Sequence, residues 1–411
     1  VSAVYRERLA SAAVVCAPLV QGPTPHPCPS PYRRGVPRAL RRNRVVLLSH
    51  ALARDAKPHE APKLSYKPHT ILYTSYRRPG GVRRFQTREC DEMDIEAILF
   101  PYATRRRKNV QHSNIRFVHY TSAEAGISIL ENRCVWLRDY RLMNDFSEIQ
   151  HGLDCIKNYL YEHELGKRLK LALEQCEPSL PDYVDMIVEN LAEHQINSTY
   201  MISISEHGNI GPDETDEDLY GRLSMWRAYG GNTNIAFVFK NKVFVEESQA
   251  IGAYTSPILY RDIGGFQTEF SELVGAIENN IEILKNIELN LMRAYLLSVF
   301  HFAVISTKHP GFSEEREWRV IHSPTIWPSE ILKPVYRVVN GIPQRIYEIP
   351  LRNIPERNFM GASIKDLIDK IIIGPTLYAK TIAESFIEKL KKEGIDDASK
   401  RVVVTDVPLR R

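Results

Sequence analysis

The chain has no CxxC pair or other zinc-ligand spacing among its six cysteines, no apolar run long enough to span a bilayer, and no methionine in its first 92 residues. Each absence excludes something. Cys16, Cys28, Cys90, Cys134, Cys155 and Cys176 fit neither a zinc ribbon nor a redox motif and are expected to stay reduced, which points to the cytoplasm. The most apolar stretch, Leu296 to Ile305, is about half of the ~20 residues a membrane helix needs and contains His301, so no transmembrane segment is expected. Gly230-Gly231 and Gly374-Pro375 lack the spacing of a phosphate loop. His301 and His309 have no third ligand near them in sequence, so no metal site is expected.

Residues 1–92 are poor in acidic side chains, isoleucine and asparagine. They hold 17 Lys+Arg against 6 Asp+Glu, one isoleucine (Ile71), one asparagine (Asn43) and 11 of the 25 prolines. That local balance of +11 exceeds the +4 of the whole chain, so the remainder sits near −7 (4 − 11). An Arg-, Pro- and Ala-dominated stretch buries too little apolar surface to offset its chain entropy and is expected to be disordered. The cluster Arg33, Arg34, Arg38, Arg41, Arg42 and Arg44 suggests a nucleic-acid arm or a targeting peptide. Neither fits well: there is no long apolar region or cleavage site, and the prolines would break an amphipathic helix. A further reading is a start assigned too early, with Met93 as the initiator. Either way, the expected working domain is 93–411, whose acidity makes nucleic acid an unlikely partner for it.

Within 93–411 the spacing predicts a strand at Ile115–Tyr120 leading into a capping box, Thr121-Ser122-Ala123-Glu124, and a helix through Ile127 and Leu130. Ile149, Leu153, Ile156 and Leu160 mark one face of a helix starting near Asp145. Further helices are expected over 164–196, 219–229, 266–306 and 378–393. Strands are expected at 134–137, 200–205, 235–239, 256–260, 316–322, 345–350, 368–373 and 401–405. Strands and helices mix without strict βαβ alternation, so the expected fold is α+β: a single domain with a mixed, largely antiparallel sheet flanked by helices.

The sharpest chemistry lies in Glu315-Arg316-Glu317-Trp318-Arg319. In a strand Glu315, Glu317 and Arg319 share one face, while Arg316, Trp318 and Val320 share the other. Two carboxylates and a guanidinium therefore converge, as a structural ion pair or as a site beside a cleft. His119 ends the first strand, where a hydrogen-bonded core histidine is the plain alternative to a functional one. Met143-Asn144-Asp145 with Glu148 reads as a turn and helix cap. Trp226 and Tyr229 share a helix face and suit core packing as well as ligand stacking.

The set His119-Tyr120-Thr121-Ser122, Met143-Asn144-Asp145 with Glu148, Leu223-Ser224-Met225-Trp226-Arg227-Ala228-Tyr229-Gly230 and Glu315-Arg316-Glu317-Trp318-Arg319 resembles the bacterial domain-of-unknown-function family 2971 over residues 115–375. That resemblance implies no activity. More distantly, an early His-Tyr-Thr-Ser, a middle aromatic segment and a late glutamate are similar to ADP-ribosyltransferases of the His-Tyr-Glu type. This second resemblance implies NAD as a substrate and cleavage of its nicotinamide–ribose bond by a transferase or glycohydrolase. Glu317 or Glu315 would stabilise the oxocarbenium-like state. His119, with Tyr120, Thr121, Trp226, Tyr229 and Arg319, would hold the cofactor. Which tyrosine takes the family's middle role, and whether the acceptor is protein, nucleic acid or water, stay open. The mechanism requires His119 and the late glutamates to open into one hollow. A non-catalytic sensor or protein-interaction module is the alternative. A third class is a metal-dependent nuclease using Asp145, Glu148 and Glu317 with magnesium and a nearby lysine.

Overall fold

Strands form where β-branched and aromatic residues cluster between turn residues. In chain order they are β1 (Ile115–Ser122), β2 (Cys134–Asp139), β3 (Tyr200–Asn209), β4 (Asn234–Phe239), β5 (Tyr254–Pro257), β6 (Leu259–Tyr260), β7 (Thr307–Lys308), β8 (Glu317–His322), β9 (Pro334–Val339), β10 (Ile342–Pro350), β11 (Ile368–Ile373) and β12 (Val402–Val404). The computed structural model describes residues 95–142, 146–191, 198–209, 211, 215–229, 231–246, 249–339 and 341–408, with the backbone alone for 146, 147 and 249. These residues fall in the compact unit Gln86–Arg411. The expectations for residues 1–92 and for Met143-Asn144-Asp145 lie outside them.

Ten strands form one sheet in the order β12-β11-β4-β1-β3-β2-β10-β9, with β8 on the other edge of β3 and β5 beyond it. All its ladders are antiparallel except β11 with β12, and β6 and β7 make a separate parallel pair. The fold is therefore α+β with a mixed, largely antiparallel sheet flanked by helices. Among the described residues no helix is long and apolar enough to cross a membrane.

The sheet forks at its centre. Strand β1 pairs with β3 from Ile115↔Asn209 to Val118↔Ser205, then leaves it while staying on β4 as far as Ser122↔Asn234. Strand β2 joins the same edge of β3 only at Arg138↔Met201 and Asp139↔Tyr200. Residues 202–204 thus face no strand on that edge among the described residues, although β8 covers their other edge.

Directly paired residues project to the same side of a sheet. Val118↔Ser205, Ser205↔Glu317 and Ser203↔Arg319 place Val118, Ser203, Ser205, Glu317 and Arg319 on one face. Phe117, His119, Ile202, Ile204, Trp318 and Val320 lie on the other. Helices cover the first face. Met201 and Ile321 pack with Phe146–Tyr161, Glu164–Cys176, Leu180–Asn190, Gln267–Asn279 and Leu289–Ile305, while Val118 and Tyr120 pack with Met225 and Trp226 of Leu223–Ala228. The second face buries Phe117, Phe237, Trp318 and Val320 against Phe386 and Leu390 of Ala379–Lys392 and the segments around Ile354 and Phe359.

Several boundaries differ from the sequence expectation for local reasons. The helix cap after β1 is Ser122, whose hydroxyl accepts from the Ala125 amide, so Thr121 remains in the strand opposite Ile235. The helix expected at 219–229 is two short ones, Asp216–Tyr220 and Leu223–Ala228, separated at Gly221 with φ +63°. The stretch 266–306 breaks into Gln267–Asn279, Ile281–Leu284 and Leu289–Ile305; the last restarts where Glu288 accepts from the Asn290 and Leu291 amides. The helices Ile95–Leu99 and Pro101–His112 and the edge strand β9 had no counterpart in the sequence reading.

Candidate functional site

The charged residues picked out in β8 are the centre of a buried ion network. Glu317 and Arg319 alternate with Trp318 and Val320 and therefore look toward the helical layer. Arg319 Nε donates to Glu317 Oε1 at 2.9 Å and Nη1 to the Ile305 carbonyl at 2.6 Å, while Nη2 reaches Glu148 Oε2. Glu148 comes from the first turn of Phe146–Tyr161. From β7, Lys308 Nζ lies 2.7 Å from Glu148 Oε1, 2.7 Å from Glu315 Oε2 and 3.3 Å from Glu317 Oε2. The Ser203 hydroxyl donates to Glu317 Oε1, and the Tyr260 hydroxyl accepts the Glu317 amide at 2.7 Å. Three carboxylates thus meet two cations, and Arg319, Lys308, Glu317 and Glu148 are all buried.

The network's electrostatics follow from that packing. Burial would raise the Glu317 carboxyl, but Arg319, Lys308 and the Ser203 hydroxyl outweigh it and hold it below the usual carboxylate range. For Lys308, burial favours the neutral amine; Glu317 and Glu148 overcome this and keep it an ammonium beyond its ordinary range. Glu315, with 23% of its side chain exposed at the network's rim, is raised by burial against the pull of Lys308. Glu317 is therefore a neutralised, fully engaged carboxylate, whereas Glu315 borders solvent.

His119 sits elsewhere. It lies on the opposite face of the sheet, in the fork, where Nδ1 hydrogen-bonds the Ser203 carbonyl at 3.0 Å. A carbonyl can only accept, so Nδ1 carries the proton. The ring replaces the absent strand neighbour of β3. Its remaining surface borders a cavity of about 70 Å³ lined by apolar side chains from both arms of the fork, among them Val135, Ile202, Ile204, Phe239 and Val320. Burial lowers the imidazole pKa despite the Ser203 bond, so the ring is neutral at physiological pH.

The remaining candidate residues divide as follows. Tyr120 and Trp226 are on the helical face: the Tyr120 hydroxyl accepts from the Arg222 amide at 2.9 Å, and the two rings meet edge to face at 4.7 Å. Trp226 donates to the Tyr220 carbonyl and is wedged between Gly221 and Gly374, where added Cβ atoms would come within 2.6 Å and 2.8 Å of its ring. A ring so enclosed has no face left for a cofactor. Thr121 is half-buried in β1, and Tyr229 is 40% exposed beyond its helix. The structure therefore joins Glu315, Glu317, Arg319 and Glu148, and separates all of them from His119 by the thickness of the sheet.

Lys308 and Ser203 escaped the sequence reading. Lys308 follows an apolar helix at no periodic distance from Glu317, and the Ser203 hydroxyl is one of many. A second network was missed as well. Arg116 on β1 bonds Asp218 at 2.8 Å and Asp369 at 2.7 Å, and His207 Nε2 lies 3.4 Å from Asp218. Burial acts to raise the Asp218 carboxyl, but His207, Arg116 and the Thr215 amide drive it well below its ordinary range. The available signal was Thr215 followed three residues later by Asp218, a capping box that the structure contains.

Comparison with known proteins adds little chemistry. None of the curated proteins and none of the solved structures matches the chain. A family model described as a protein of unknown function (DUF2971) matches residues 225–320, a span holding Trp226, Tyr229, Lys308, Glu315, Glu317 and Arg319 but neither His119 nor Glu148.

Proposed function

We propose that the chain is a non-catalytic binding module of the sensor or protein-interaction class. The observation that carries this reading is the opposition of His119 and Glu317 across the sheet. Cleaving the nicotinamide–ribose bond of NAD needs a carboxylate free to face the positive charge developing on the ribose. Glu317 instead faces Lys308, Arg319 and Ser203 inside the protein. The imidazole that would orient the cofactor is on the other side, and Trp226 is enclosed. The nuclease alternative loses its cation position in the same way: the Lys308 ammonium occupies the space between Glu148, Glu315 and Glu317. Such a network, spanning β3, β7, β8 and the helix Phe146–Tyr161, ties the helical layer to the sheet.

The test is to incubate the full chain with saturating NAD and quantify released nicotinamide, with Glu317→Gln and Glu315→Gln in parallel. The expected result is no release above the uncatalysed background. Release by the parent chain that disappears in a folded Glu315→Gln or Glu317→Gln variant would restore the NAD-cleaving reading.

A further inference from the structure

The cavity in the fork has one polar atom with a clear assignment. His119 Nδ1 is committed to the Ser203 carbonyl, so in the neutral ring Nε2 is an acceptor without a proton. Among the described residues no donor is bonded to Nε2, and it is not one of the sealed, unpartnered polar atoms. It therefore borders open space, and the space that His119 lines is this cavity. Around it are Ile202 and Ile204 of β3, Val320 of β8, Val135 of β2 and Phe239 of β4, with Thr255 as the other polar side chain in the lining.

A mostly apolar chamber whose polar side chains are the His119 acceptor and the Thr255 hydroxyl discriminates by chemistry. A charged ligand is excluded by the cost of desolvation without a counter-ion. We infer that the fork cavity binds a small neutral, mostly apolar molecule that presents one N–H or O–H donor to His119 Nε2. This inference rests on the binding-module reading and names the ligand class of that module. Size limits the ligand further: the cavity of about 70 Å³ is roughly half of the 150 Å³ engineered cavity that takes up benzene. The occupant is a group of no more than about five non-hydrogen atoms, either alone or as the tip of a larger molecule. The ring of His119 serves two ends at once, since the proton that closes the β3 edge also dictates that the cavity sees an acceptor.

Pyrrole and furan make the test. They share size and shape, but pyrrole carries an N–H donor and furan an acceptor oxygen. Each is titrated into the full chain with ¹⁵N-labelled histidine, following the His119 ring nitrogens by NMR. Pyrrole is expected to saturate, to shift Nε2 more than Nδ1, and to bind about three- to tenfold more tightly than furan, the range one net neutral hydrogen bond supplies. Ala253→Leu fills the cavity from its lining and should abolish binding of both while leaving the Nδ1 signal in place. His119→Phe should erase the preference for pyrrole; should that variant fail to fold, Ala253→Leu still decides the location. No saturable binding by either probe, equal binding without an Nε2 shift, or binding unchanged in folded Ala253→Leu would overturn the inference. Nicotinamide release measured on the same sample keeps the two readings apart. Silent NAD with no pyrrole binding removes the cavity ligand alone, whereas NAD cleavage removes the binding-module reading whatever pyrrole does.

Discussion

The ion network and the fork, on opposite faces of the central strands, handle buried polar groups in opposite ways. On the helical face, Glu148, Glu317, Lys308 and Arg319 are brought together until each charge has an opposite partner, and only Glu315 reaches the rim. In the fork on the other face the His119 imidazole stands among aliphatic and aromatic side chains, bonded on one side and bordering empty space on the other. The contrast teaches that a dense cluster of charge can be paired within itself while a single neutral group is not. Saturated ion networks hold elements in place, whereas an incompletely satisfied neutral group beside a void has capacity left for a ligand.

The largest effect that sharpens this comparison comes from breaking the network. Lys308→Met leaves three carboxylates without their shared ammonium and is expected to destabilise the fold by about 3–5 kcal/mol, the cost of orphaning buried charge. Urea unfolding measures it; a loss under about 1 kcal/mol would mean that water already reaches Glu317 and that the face is open. Next is tight packing beside the network face. Gly374→Ala puts a Cβ 2.7 Å from the Asn234 Cβ and 2.8 Å from the Trp226 ring, so a loss of about 1–3 kcal/mol is expected by the same assay.

A third effect comes from acid. His301 is wholly buried with Nε2 2.9 Å from the Ser323 hydroxyl, and burial pushes its pKa down from 6.5 to about 3. Its folded pKa is depressed, so the unfolded chain takes up the proton first. Stability is intact above pH 6.5 and falls as pH drops toward 3. The single-site loss reaches about 2 kcal/mol at pH 5, from ~1.4 kcal/mol per pH unit across that window. Burial lowers His119, His207 and His322 as well, which adds in the same direction. Denaturant midpoints from pH 7 to pH 5 should fall, and His301→Leu should flatten the slope. The smallest effect belongs to the cavity. Val320→Ile adds a methylene beside empty space and should change stability by less than about 1 kcal/mol, in contrast to the added methyl at Gly374.

Period-two alternation was enough to put Glu317 and Arg319 on one side and Trp318 and Val320 on the other, because that relation is internal to one strand; Glu315 precedes the strand in a 3-10 turn, with Arg316 at φ +46°, and joins the network through Lys308 rather than through alternation. Alternation could not relate His119 to them. The relation between β1 and β8 passes through β3, and a shift of one residue in either ladder would have moved the imidazole to the glutamates' face. Nothing local in the sequence encodes that parity. The fork is equally hidden, since it depends on where β1 stops following β3 and where β2 begins. Lys308 was invisible for a different reason: β7 has two residues, too few for any periodic signal. Trp226 read equally well as packing or stacking until Gly221 and Gly374 were found against its ring.

The central claim is that the imidazole and the late glutamates belong to separate compartments. A titration of the full chain with NAD, recording the ¹⁵N signals of His119 and the carboxyl ¹³C signals of Glu315 and Glu317 in one sample, addresses it directly. The account predicts that no added NAD moves the His119 and glutamate signals together along a common saturation curve. Coincident shifts with a shared midpoint would place both groups in one binding site and contradict it.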